Sequence, residues 1–148
     1  MSRTELLLFL RSHTYAVQAS VSVDGLPQAA VVGFAVTDSL EIIFDSINSA
    51  RKARNLLLRP RIAFVIGGWM PGDERTVQYE GVVDRPEGPE LEILKRIYYA
   101  TFPDGRSRLG WPGLMYLRTR PTWLRCSNYN KSPPEIMELK GDQIDAMK

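Results

Sequence analysis

Residues 41–66 read EIIFDSINSARKARNLLLRPRIAFVI, and this stretch decides the architecture. Glu41 to Asp45 is a short apolar strand, Ser49 to Leu58 a helix that Ser49 can cap and Pro60 ends, and Arg61 to Ile66 a second strand. The helix is electrostatically reversed. Arg51, Lys52 and Arg54 occupy its first turn and a half, where the positive end of the helix dipole disfavours each cation by about 0.3–1 kcal/mol. A phosphate resting on the helix N-terminus offsets that cost. It would take backbone N–H groups, a hydroxyl from Ser46 or Ser49, and charged hydrogen bonds from Arg51 and Lys52.

Upstream, Tyr15, Val17, Ala19, Val21 and Val23 alternate with Gln18, Ser20 and Ser22 as far as Asp24-Gly25, a hairpin signal. The return strand runs from about Gln28 to Val36 and leads into Glu41–Asp45, three antiparallel strands in succession. A short helix, Thr4 to Ser12 with Thr4 as cap, precedes them. Downstream, the Gly/Pro-rich loop 67–73 is followed by a long strand, Thr76 to Arg85, and a helix over about Pro89 to Phe102. Two further strands, Leu114–Thr119 and Thr122–Ser127, flank Pro121, and a polar tail over 128–148 contains a short strand at Ile136–Leu139. The expected fold is a single mainly-β domain over residues 1–148, an antiparallel split barrel with small helices at its openings. Side chains fill an interior of this size, so a cofactor binds outside the barrel or between two subunits.

Composition narrows the chemistry. One cysteine, Cys126, and one histidine, His13, exclude Cys-rich zinc motifs and the two-histidine metalloenzyme signature, and no metal site is expected. No apolar run has the roughly 20 residues of a membrane span and no secretory signal is evident, so a cytoplasmic protein without a membrane partner is expected. The formal net charge of +2 conceals a segregation. Residues 46–72 and 105–134 contain no carboxylate, and a positive site forms where they meet. Single-stranded RNA, with Trp69, Trp111 and Trp123 for stacking, is the competing ligand, but no nucleic-acid motif is present and none is expected as partner. Tyr79, Tyr99 and Tyr129 are the candidate proton donors, and Arg106, Arg108 and Trp111 border a candidate substrate pocket.

The run Phe44-Asp45-Ser46, then Arg51-Lys52-Ala53, then Arg59-Pro60-Arg61-Ile62-Ala63-Phe64 resembles the FMN-binding split barrel of the pyridoxamine 5′-phosphate oxidase family. Arg75-Thr76-Val77-Gln78, Gly81 within a strand, and Trp123 in Arg120-Pro121-Thr122-Trp123 extend the likeness over about residues 5–130. The resemblance implies that Ser46, Arg51 and Lys52 hold the FMN phosphate and that backbone groups of Val31, Val32 and Gly33 line the flavin ring. It implies that Thr76 or Gln78 takes the place of a glutamine found in many members, and that Trp123 packs near the flavin across a homodimer interface. The implied activity is hydride or electron transfer at flavin N5 to a small redox substrate. A flavin-binding or sensing protein without turnover and a deazaflavin reductase are the alternatives. Haem, bound by other relatives, has His13 as its one histidine ligand here. The tail from Asn128 to Lys148 lacks the Arg-x-His element with which the true oxidases grip pyridoxal phosphate, so vitamin B6 oxidation is not expected.

Overall fold

The Asp24-Gly25 turn closes the first hairpin with Gly25 at a left-handed φ of 80°. In the computed structural model, which describes residues 1–147, it joins β1 (Tyr15–Val21) to β2 (Pro27–Gly33). The strands that follow are β3 (Ala35–Val36), β4 (Ile42–Ile47), β5 (Arg61–Gly67), β6 (Arg75–Asp84), β7 (Leu114–Asn128) and β8 (Glu135–Lys140). All pairings are antiparallel, in the order β2-β1-β5-β6-β7-β4-β3 with β8 beside β7. The return strand expected over Gln28 to Val36 is divided at Phe34: its first part, β2, pairs with β1, and its last part, β3, pairs with β4, which on its other side pairs along its whole length with β7.

The sheet curls as a half-barrel around one core that includes Leu6, Phe44, Phe64, Tyr79 and Leu124. Four helices surround it, α1 (Arg3–Arg11), α2 (Arg51–Leu58), α3 (Gly88–Thr101) and α4 (Asp142–Asp145). A smaller cluster of Ala35, Ile43, Leu94, Tyr98, Tyr99 and Tyr116 seats α3 on the outside of β4. The cap of α1 is Ser2 and not Thr4. Ser2 and Glu5 form a reciprocal capping box, with the Ser2 N–H donating to the Glu5 carboxylate at 2.6 Å.

The alternation of β1 is inside out. Ala16, Gln18 and Ser20 face the interior while Tyr15 and Val21 are exposed, as is Val31 beside them on β2. The inward polar groups are partnered in part, with Gln18 Oε1 left without a hydrogen bond. Asn55 Nδ2 of α2 donates to Ser20 Oγ at 3.1 Å, and Ser20 Oγ donates to Gln28 Oε1 at 3.2 Å.

β7 is one continuous strand of 15 residues where two were expected. Pro121 is tolerated because the strand changes partners around it. Its first half pairs with β4 as far as Thr119, and its second half pairs with β8 from Trp123 onward. On its other side the register against β6 slips between Glu80 and Gly81, so that Thr122 is extra. Gly81 sits at this bulge, where a Cβ would run into the carbonyl oxygen of Arg120 and the methyl of Thr119. Gly81→Ala is expected to destabilise the fold by about 1–3 kcal/mol, read as a lower urea midpoint at constant slope. An unchanged midpoint would show that the bulge yields freely.

Candidate cofactor site

α2 begins without a side-chain cap. Its N-cap is Ala50, not Ser49, and no acid lies in its first turn. Arg51 and Arg54 are exposed and Lys52 half-buried. Among the described residues, no carboxylate lies within ion-pair distance of Arg51, Lys52, Arg54, Arg59 or Arg61. The reversed helix end is therefore real and uncompensated among the described residues. Ser46, at the end of the preceding strand, is buried and donates its hydroxyl to the Ile47 carbonyl at 3.2 Å. It stands at the lead-in to α2, and its Oγ must turn to serve a ligand.

The second basic segment does not add its charge to the first. Arg108 binds Asp45 at 3.2 Å and Asp104 at 3.0 Å, Arg125 binds Glu138 at 3.0 Å, and Lys131 binds Glu135 at 2.6 Å. Arg118, with its side chain 6% exposed, meets Asp84 at 2.6 Å and also Glu90 and Glu41. Arg120 shares Asp84 and Glu41. Arg106 lies over the Tyr99 ring at 5.3 Å. Carboxylates pair with most cations of this segment, whereas none pairs with those around α2 among the described residues.

β2 is an edge strand, and the hairpin register decides which of its backbone groups are free. Phe34 N–H donates to Thr14 at 3.0 Å and Ser22 N–H to Leu26 at 2.9 Å, which makes Val32–Ala16, Ala30–Gln18 and Gln28–Ser20 the hydrogen-bonded pairs. Val31 and Gly33 consequently turn N–H and C=O toward the open edge. Val32 differs from them, since its amide faces β1 and its side chain is buried. Gly33 has a further role. A Cβ there would lie 2.8 Å from Phe102 Cζ, so the bare backbone allows the Phe102 ring to cover the end of β2, 6.4 Å from the ring of Tyr15. Phe102 and Tyr15 thus join the site as an aromatic wall that sequence reasoning missed; a glycine inside a strand was the available signal.

The remaining candidates lie elsewhere on the sheet. Gln78 is exposed in the row Val31–Val17–Val65–Gln78, three strands from β2 and roughly 14 Å away by strand spacing. Thr76 pairs with Gly67 and Ser127, and its methyl packs against Gly68. Trp123, half-buried, stands opposite Glu80 and Lys140. The structure therefore gathers Ser46, Arg51 and Lys52 at one end and places Thr76, Gln78 and Trp123 on β6 and β7.

No side chain in either group is a poised acid or base. Tyr79 is fully buried, burial holds its phenol well above the usual range, and its hydroxyl lies 3.0 Å from the Leu40 carbonyl and 2.9 Å from that of Thr119. Tyr99 shares a 2.7 Å hydrogen bond with Tyr116, whose phenol is also raised, chiefly by burial. Burial pushes the Cys126 thiol up to about 11, as suits a small core residue.

The family model of pyridoxamine 5′-phosphate oxidase matches residues 2–125. The chain belongs to this family. Over 92 residues it is 36% identical to a pyridoxine/pyridoxamine 5′-phosphate oxidase of Cupriavidus metallidurans, an alignment covering 62% of this chain and 40% of that enzyme. The family fold recurs in a heme binding protein from Mycobacterium smegmatis, with a TM-score of 0.82 at 18% identity over 99% of this chain and 61% of that one. It recurs again in a pyridoxamine 5′-phosphate oxidase-related, FMN binding protein from Nostoc punctiforme, with a TM-score of 0.70 at 14% identity over 95% and 90% of the two chains. The half-barrel described above is thus the split barrel of the pyridoxamine 5′-phosphate oxidase family, a fold that also occurs in that heme binding protein and in that FMN binding protein. No helix among the described residues is long and apolar enough to cross a membrane.

Proposed function

We propose that this chain is a cytoplasmic FMN-binding oxidoreductase of the pyridoxamine 5′-phosphate oxidase family that acts on a small redox substrate as a homodimer. The observation that carries the reading is the start of α2, whose cations have no carboxylate partner among the described residues. A dianionic phosphate fits there, with Arg51 and Lys52 supplying charged hydrogen bonds and Ser46 a hydroxyl. The free edge amides of Val31 and Gly33 suit the polar rim of a flavin ring, and Tyr15 and Phe102 suit its apolar faces. When bound, the flavin supplies hydride or electron transfer at N5. The chain's own residues bind it, orient it and limit water around it. The outer sheet face of Tyr15, Val17, Val31 and Val65 calls for a cover, which a second copy would provide together with Gln78 and Trp123.

The test is an absorbance scan before and after a slight excess of FMN is added and the unbound part removed by gel filtration. Retained flavin bands at a dimer's elution volume, bleached anaerobically by NADH or NADPH, are expected of the oxidoreductase. Retained flavin that neither donor reduces would favour a binding or sensing role, and preferential retention of a deazaflavin would favour the deazaflavin reductase.

One observation favours haem as a second reading. His13 Nδ1 lies 2.9 Å from the Phe9 carbonyl, an arrangement that leaves Nε2 free as a ligand. The ring borders a cavity of about 530 Å³ lined by Tyr15, Trp69 and Met70. A Soret band retained by the protein and lost in His13→Ala would replace flavin with haem.

A further inference from the structure

We propose that the outer surface of α2 and the tip of the β1–β2 hairpin form a docking surface for an anionic lipid bilayer. Two elements meet there. Arg59 donates to the Val23 carbonyl at 2.8 Å, which ties the end of α2 to the hairpin. Leu57 and Leu58 are 48% and 67% exposed at the end of the helix, and Val23 and Leu26 are 61% and 55% exposed beside them. These are four large apolar side chains exposed to water at the end of α2 and the tip of the hairpin. Arg54 lies one turn before Leu57 and Leu58 on the same exposed stripe, and like Arg59 it has no carboxylate partner among the described residues.

The combination selects the occupant. Exposed leucines flanked by Arg54 and Arg59 enter the boundary between headgroups and acyl chains while the guanidinium groups stay at phosphate level. Nucleic acid would use the cations and have no need of the leucines. A protein partner of ordinary size would need about 800 Å² on this side, more than four apolar side chains supply. The attachment is superficial and requires no spanning helix, so it departs from the expectation of no membrane partner, which rested on the lack of a span and of a secretory signal. It is also separate from the flavin site, since it uses none of Ser46, Arg51 and Lys52.

The test is co-sedimentation of the full chain with phosphatidylcholine vesicles and with vesicles containing a third phosphatidylglycerol. Binding is expected only to the latter and should fall with added salt. Arg54→Ser with Arg59→Ser should weaken it roughly thirtyfold, from the contribution of each cation near an anionic surface. Leu57→Ser with Leu58→Ser should weaken it by about tenfold or more through lost apolar burial. Equal binding to both vesicle types, or to neither, overturns the proposal. So does a leucine variant that still binds the anionic vesicles while poly(U) competes for the arginines, which would make the patch a polyanion site. A leucine variant whose sedimentation shifts from dimer to monomer also overturns it, because the patch would then be the subunit interface.

Discussion

Replacing Arg51 and Lys52 together with alanine is expected to weaken the proposed FMN binding by about 2–5 kcal/mol, a loss of roughly thirtyfold to several thousandfold. The size follows from what is left behind: a phosphate at a helix end with its backbone amides but without the two charged groups that complete its coordination. Fluorescence titration of FMN against the double variant measures it. The stability of the flavin-free protein should move the other way. Arg51 and Lys52 stand at the positive end of α2 without an acid to balance them, so their removal relieves about 0.3–1 kcal/mol per cation. Weaker flavin binding with an equal or higher unfolding midpoint would mark the pair as a binding device. Unchanged affinity would sink the anchor assignment, and a lowered midpoint would show that the cations support the fold.

The other large effect falls on a residue with no proposed role in binding. Arg118→Ala is expected to cost about 3 kcal/mol of stability, the lower end of the range for breaking a buried ion pair. The lower end applies because the guanidinium is buried while its partners Asp84 and Glu90 keep side-chain exposures of 37% and 55%. The pH dependence carries a signature. Hydrogen bonds from Arg118 hold the Asp84 carboxyl below its ordinary value. A carboxyl depressed in the folded state adds stability that is fully present above its unfolded pKa, near 4, and is lost as pH falls through the folded one. Urea midpoints measured from pH 7 down to pH 3 should therefore fall in the wild type and fall less steeply in Arg118→Ala. Parallel curves would show that the Arg118–Asp84 pair is not the source of the acid sensitivity.

The sheet was legible because period-2 alternation and Gly/Pro punctuation are local signals. Which face of an alternating strand is buried is a different matter. In β1 the valines suggest an apolar interior, yet Gln18 and Ser20 are the residues enclosed, because hydrogen-bonding partners for the polar side arrive from β2 and α2. Pro121 reads as a strand break for a sound local reason, and only the change of partner from β4 to β8 reveals why the strand continues through it. The candidate anchor could be read from the sequence because a cation at a helix start is unfavourable by itself. The fate of the second basic segment could not be read in that way. Arg118 and Asp84 are 34 residues apart, and no window of sequence brings them together. The free amides of β2 lie between these extremes, since they follow from the Asp24-Gly25 turn once the register is counted back from it.

The polar seam under α2 bears on the anchor in another respect. Apolar contacts permit a short helix to roll about its axis, since one methyl serves as well as its neighbour, whereas a hydrogen bond has a direction. With Asn55 joined to Ser20, and Ser20 to Gln28, the azimuth of α2 is set against two strands at once. Arg51 and Lys52 project from a helix whose rotation is held by that seam, so the aim of the anion-binding end is determined several ångströms beneath it. Flavin affinity would then respond to a change at Asn55, a residue that never meets the cofactor.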